Sequence, residues 1–187
     1  VVACDFYYDR ATGKLMTDDV IPSIKIFDRF YAEFELYTLN EAGSLVSYHG
    51  MYGSEFIDAP ANIQRVDVHE IHPMLGSIDI YEVIDYTSQK ATVVSSSTPC
   101  ASYNIPYKIN LMDLFNAFND PESGLVEYQG LKTVSWDDAE YHVFLLHQPL
   151  SIDFDYDQIF YADEAGIVHW AEIPSSGWIM KMNGGFQ

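Results

Sequence analysis

Two runs decide the fold: Ile63–Gln64–Arg65–Val66–Asp67–Val68–His69 and, after a break at residues 73–76, Ile78–Asp79–Ile80–Tyr81–Glu82–Val83–Ile84–Asp85–Tyr86. In the first run Val66 and Val68 point to one side, while Arg65, Asp67 and His69 point to the other. In the second, Ile78, Ile80, Ile84 and Tyr86 share a face opposite Asp79, Tyr81, Val83 and Asp85. A strict period of two is the pattern of a strand that is dry on one face and wet on the other. A polar turn at Thr87, Ser88 and Gln89 leads into a third strand over 90–97, and the stretch closes at Cys100. No phosphate loop, nucleophile elbow or metal cage interrupts it.

The same alternation spreads outward in both directions. Upstream, Phe30, Ala32, Phe34 and Leu36 alternate with Tyr31, Glu33, Glu35 and Tyr37. The loop Asn40, Glu41, Ala42, Gly43 is a good hairpin connection, with Gly43 free to turn left-handed. Gly50 and Gly53, in the returning strand, predict a bulge or a close approach of backbone or ligand. Nearer the start, residues 9–13 read as a turn between short extended pieces.

Downstream, one helix is predicted over 110–119. Asn110 caps it, Asp113 sits in its first turn, and Leu111, Leu114, Phe115 and Phe118 form one apolar stripe. Such a helix should pack across the dry face of the sheet or plug its open mouth. Residues 125–136 read as a strand pair or one strand bent at Gly130. Residues 139–148 are apolar on both faces, which places them centrally, and Pro149 interrupts them. Residues 151–161, 167–173 and 178–182 complete nine or ten strands with mostly short connections. The expectation is one mainly β domain over 1–187: a strongly curved antiparallel sheet with a single covering helix.

The 187 residues suffice to bury a sizeable core without staples. The net charge of −19 repels phosphate backbones and anionic lipid headgroups, which argues against nucleic acid and against a negatively charged membrane as partners. No apolar run is long enough to span a bilayer. The chain begins at Val1 without Met, which reads as a processed start after a signal peptide and so as secretion. A Cys4–Cys100 bridge would close a loop of about 95 residues, a stabilisation of roughly 4 to 5 kcal/mol in the chain-entropy treatment. Two buried free thiols are the alternative.

For chemistry, the carboxylates are so numerous that apparent pairs such as Glu33 with Glu35, or Asp67 with Glu70, read as solvated strand faces. No active site is proposed from them. Asp153, Asp155, Asp157 and Glu164 match positions one, three, five and twelve of a calcium-binding loop. However, Gln158 stands where Gly is needed, and the alternation with Ile152, Phe154 and Tyr156 makes the segment a strand. Carboxylates on one strand face stand about 7 Å apart, so a solvated acidic edge is the preferred reading and calcium a weak candidate. No His pair has zinc spacing. His49 and His142, lying among aromatics, could hydrogen-bond a ligand's polar end. Tyr31, Tyr37, Tyr48, Tyr52, Tyr81 and Tyr86 recur on the central strands, with Trp136 and Trp170 later. They are either core packing or the flat walls of a groove or interface, to which Phe115 and Phe118 of the helix would add.

The order of features also resembles a known group. Phe30 to Tyr37 is followed by Gly50–Met51–Tyr52, then Asp58, Asn62 and Arg65–Val66–Asp67, then Ile84–Asp85–Tyr86, Cys100, Gly130–Leu131, Trp136 and Pro149. This spacing, over about two thirds of the chain, resembles the ependymin-related and LolA-like secreted proteins. The resemblance implies a half-open barrel with helical cover, a deep apolar groove, carriage of a lipid, fatty acid or carotenoid, frequent dimers, and calcium in some members. Thr133 and Val134 stand where that group places a further Cys, which leaves Cys4 as the partner for Cys100. A structural extracellular protein that binds no small molecule is the alternative function.

Overall fold

The computed structural model describes residues 7–8, 15–16, 24, 27–97, 99–118, 120, 123–151 and 154–183, with the side chains of 7–8, 15–16 and 148–156 excepted. Tyr7–Tyr8 (β1) pairs antiparallel with Leu15–Met16 (β2), on either side of the predicted turn. The other strands form one sheet: β3 (Arg29–Leu39), β4 (Leu45–Asp58), β5 (Ile63–His72), β6 (Gly76–Asp85), β7 (Lys90–Ser95), β8 (Ala101–Asn104), β9 (Val126–Thr133), β10 (Glu140–Ser151), β11 (Phe154–Ala162), β12 (Val168–Ile173) and β13 (Trp178–Asn183). The spatial order is β8-β7-β6-β5-β4-β3-β13-β12-β11-β10-β9. Every neighbouring pair is antiparallel, and the sheet curves without closing.

This order has one topological consequence that positions the site. The chain starts at the middle of the sheet with β3 and walks outward to one edge, β8. It must then reach the opposite edge, β9, before walking back to close against β3 through β13. The connection crosses the whole concave face, and the helix α1 (Leu111–Ala117) lies in it. Asn110 caps this helix by accepting from the Met112 N–H, as its sequence position predicts. The stripe on α1 touches both wings. Phe115 packs on Phe30 of β3, with ring centroids 5.7 Å apart, and Leu111 joins the cluster of Phe30, Ile57, Tyr86 and Ala91. Phe118 meets Phe160 of β11 edge-on at 5.5 Å.

Among the described residues, the opposite face is covered over one wing. Val134, Tyr141, Val143, Tyr161, Trp170 and Ile179 form a second core there, with Trp136, Tyr37 and Leu45 packed against it. Strand β10 therefore has two dry sides: Val143 faces this core, while Phe144 packs with Ala162 and Val168 beside the helix end. Its sequence reads as central for this reason, yet it lies next to the edge strand β9. Cover on both faces, not central position, explains its composition.

Two other expectations need correction. Pro149 does not end β10; the strand runs to Ser151, and the ladder merely shifts register between Pro149 and Ser151. Nor is the acidic strand an edge, because β11 is hydrogen-bonded to β10 on one side and β12 on the other. The predicted bulge does occur: register shifts between Glu35 and Tyr37 opposite β4, where Gly50 has φ +61°. Residues 126–133 form one strand, turned at Gly130, where φ is +87°.

Candidate functional site

Between the concave sheet and α1 lies a cavity of about 570 Å³, a trough open to solvent along one side. Its walls come from β3 to β6, from β10 to β13, from the helix, and from Tyr107 and Ile109 just before the helix. Most of the lining is aliphatic or aromatic: Ile57, Val66 and Ile84 on one wing, Phe160, Met180 and Trp178 on the other, Leu114 and Phe115 above. The volume falls within the roughly 300–1,000 Å³ typical of small-molecule sites. The alternation first read in the sequence places the trough, because Val66 and Ile84 belong to the dry faces of their strands.

Four polar side chains interrupt this wall: Glu55, Gln64, Glu82 and Gln158. Three are brought together by register. Glu55 stands opposite Val66, and Val66 opposite Glu82, so the two carboxylates flank Val66 on the same face. Tyr86 donates its hydroxyl proton to Gln64 Oε1, and Gln64 Nε2 donates to Glu55 Oε1. Glu82 in turn accepts from Tyr103. Glu55 is half-buried, and its exposed part faces the trough. Desolvation pushes its carboxyl above the ordinary carboxylate range, and the hydrogen bond from Gln64 only partly opposes this.

That shift has a sign for stability. The folded chain holds the Glu55 proton to a higher pH than the unfolded chain does. Stability from this group is therefore present at acid pH, and is lost as pH rises from the ordinary carboxylate range through the raised folded value. The Glu55→Gln variant keeps the shape and removes the ionisation. It should be more thermostable than the parent at pH 7.5, with the difference shrinking toward pH 4.5 in a melting series. A constant difference across that range would contradict a buried ionisable Glu55.

The residues singled out in the sequence divide among five places. Tyr86, Phe115 and Phe118 line the trough. Tyr31, Tyr37, Tyr52 and Tyr81 lie on the other face, around a shallow hollow of about 560 Å³ with Glu33, Glu35, Asp67, His69 and Asp79. Trp136 belongs to the second core, where it meets Tyr161 and Trp170 edge-on; its indole N–H is buried and, among the described residues, has no hydrogen-bond partner. Tyr48 stacks on His49 at 4.4 Å and leans on Trp178, while His49 pairs with Glu70 at 3.1 Å. His142 is held by the Tyr128 hydroxyl at 2.7 Å and does not reach the trough wall.

The tyrosines left the trough for a simple reason. Tyr31 and Tyr37 share a strand face with Glu33 and Glu35, and Tyr52 and Tyr81 stand opposite Glu35 and Asp67 on that wet face, while the neighbours Phe30 and Ile57 face inward instead. Glu55 and Gln64 were missed because each stands beside apolar residues on its own strand face, Glu55 next to Ile57 and Gln64 next to Val66. Only the register between β4, β5 and β6 shows that they meet.

The remaining candidates are partly outside the described residues. Cys100 is exposed and, among the described residues, carries no disulfide; Cys4 lies outside them. Asp153 and the side chain of Asp155 also lie outside them. Asp157 pairs with His147 at 3.2 Å, and no group of acidic, His or Cys side chains among the described residues is arranged to hold a metal ion. No helix there is long and apolar enough to cross a membrane.

Neither a family model nor a curated protein sequence matches the chain. Among solved structures it is similar to a beta-barrel-like protein of the domain of unknown function DUF1849 from Brucella abortus. The identity is 8% and the TM-score 0.30, covering 85% of this chain and 95% of that one.

Proposed function

We propose that this protein is a secreted, non-enzymatic carrier that holds a long apolar molecule, of the lipid, fatty acid or carotenoid class, in the trough. The observation that carries the reading is the trough itself, roomy and dry-walled, set between a curved sheet and a helix that touches both wings. Affinity would come from burying apolar ligand surface at roughly 25 cal/mol per Å², before ordering costs. Secretion is part of the proposal on the family resemblance alone.

An organic extract of the natively purified protein, examined by mass spectrometry and by its visible absorption, tests this. A stoichiometric apolar compound is the expected result; protein that carries none and takes up none overturns it. The Val66→Trp variant should fold and weaken uptake by more than about tenfold, because an indole would fill the floor between Glu55 and Glu82.

A second reading is favoured by a different feature. On the uncovered half of the opposite face Tyr31, Phe56, Tyr52 and Tyr81 are 41–52% exposed, and Val83 and Val94 extend the patch. Such a patch suits a protein partner or a second copy of this chain. Protein that assembles through this face while free of ligand would support a purely structural role.

A further inference from the structure

We propose that the trough selects a long-chain molecule whose polar end donates hydrogen bonds and carries no negative charge, such as an alcohol, and that it excludes free fatty acid anions. This inference rests on the carrier reading above and narrows it. Its basis is the polar inventory of the wall. Glu55, Gln64, Glu82 and Gln158 are the only polar side chains among the described lining residues apart from the tyrosine hydroxyls and the Trp178 indole N–H, and none of the lining residues is Lys, Arg or His.

A carboxylate entering this space would meet two carboxyl groups and no cation. It would lose its hydration without a charge partner, the costly case for a buried ion. A hydroxyl would meet the opposite situation. Glu55 spends one oxygen on Gln64 and Glu82 spends one on Tyr103, and among the described residues each second oxygen has no hydrogen-bond donor. Both carboxyl groups project from the same face, either side of Val66, so a ligand head lying over Val66 could donate to either. The far wing supplies mainly apolar contacts, with Gln158 and the Trp178 indole N–H its polar groups, which suits the chain rather than an anionic head. The chain's net charge of −19 adds a long-range term of the same sign, disfavouring anionic ligands before they enter.

The test uses the whole chain at pH 7.5, with displacement of the uncharged dye Nile red as the readout. The competitors share one chain length: hexadecanol, hexadecylamine, hexadecanoate and headless hexadecane. Hexadecanol should displace the dye at a concentration at least about tenfold lower than hexadecanoate, the gap expected for one unpaired buried charge or lost hydrogen bond. Hexadecane should rank below hexadecanol. Hexadecylamine binding as well as or better than hexadecanol assigns the donor to an ammonium source; weaker binding assigns it to a hydroxyl. Either supports the proposal.

Glu82→Lys, at the half-buried rim position, should raise hexadecanoate affinity and reverse the order. The ranking in the parent protein stands as a test even where that variant folds poorly. Hexadecanoate equal to or tighter than hexadecanol would overturn the selectivity and leave the carrier intact. Failure of Nile red and of every competitor to bind would overturn the carrier reading and this one with it.

Discussion

Gly53→Ala is expected to lower the unfolding free energy by about 3 kcal/mol, a large loss for a single methyl group. Gly53 sits inside β4, with Phe34 opposite it in β3 and Val68 opposite it in β5. A Cβ added here would lie 2.2 Å from the carbonyl oxygen of Asp67 and 2.8 Å from the Phe34 ring. The ring can rotate away; the carbonyl belongs to the neighbouring strand and cannot move without opening the β4–β5 ladder. The Gly53→Ala and Phe34→Leu double variant separates these two contacts. It should recover only a minor part of the loss beyond the cost of Phe34→Leu alone, because the carbonyl clash persists. Urea midpoints of the two single variants and the double variant measure this, with Gly43→Ala as a comparison, since nothing lies within 4 Å of a Cβ at that turn. Gly43 has φ +76°, so its cost is backbone strain of about 1–2 kcal/mol without any clash. Near-equal losses at the two positions would mean that the strand pair is far more yielding than its geometry implies.

The way Gly53 was legible in the sequence shows what reads easily and what does not. A glycine between Met51–Tyr52 and Ser54 in a strand pattern signals close approach, and the approach is there. The same holds for the strand faces: Phe30, Ala32, Phe34 and Leu36 are all buried, on the side the alternation assigned them. Period and turn chemistry are local, so they survive being read one residue at a time. The strand order is not local. Nothing in residues 178–183 says that they close against 33–37, and that one pairing turns two meanders into a single sheet. The trough inherits the same difficulty. Its wall is drawn from eight strands, so its apolar members could be assigned to a dry face but not to one another. Its polar members were harder still, because Glu55 and Glu82 are separated by a strand that neither touches in sequence.

The helix is the part of the trough that has to be held against an otherwise exposed sheet, and a seven-residue helix has little intrinsic stability in water. Its fastening therefore carries weight. Asn62, in the β4–β5 turn at φ +59°, donates from Nδ2 to the Ile109 carbonyl at 3.0 Å. Its Oδ1 accepts from the Leu111 N–H at 2.9 Å, one of the helix's orphan N-terminal donors. Gln89 adds a bond to the Tyr107 carbonyl at 3.2 Å. Asn62 is suited to this place twice over, as a residue that tolerates the left-handed conformation and as an amide with both a donor and an acceptor. Asn62→Ala should cost about 3 kcal/mol: roughly 1 for each part-buried hydrogen bond and a further 1 or more for alanine at positive φ. Asn62→Gly removes the bonds without the backbone strain and should cost about 2. Asn62→Asp retains acceptance from Leu111 but loses donation to Ile109, and should cost less than Asn62→Ala. Urea unfolding gives the three losses, and hydrogen exchange at the Leu111 amide tells local release from global weakening. In Asn62→Gly that amide should exchange much faster than the β5–β6 ladder, because the helix can lift while the sheet persists. If Leu111 and the ladder lose protection in step, the helix is not a separately fastened wall, and the trough would open only when the whole sheet does.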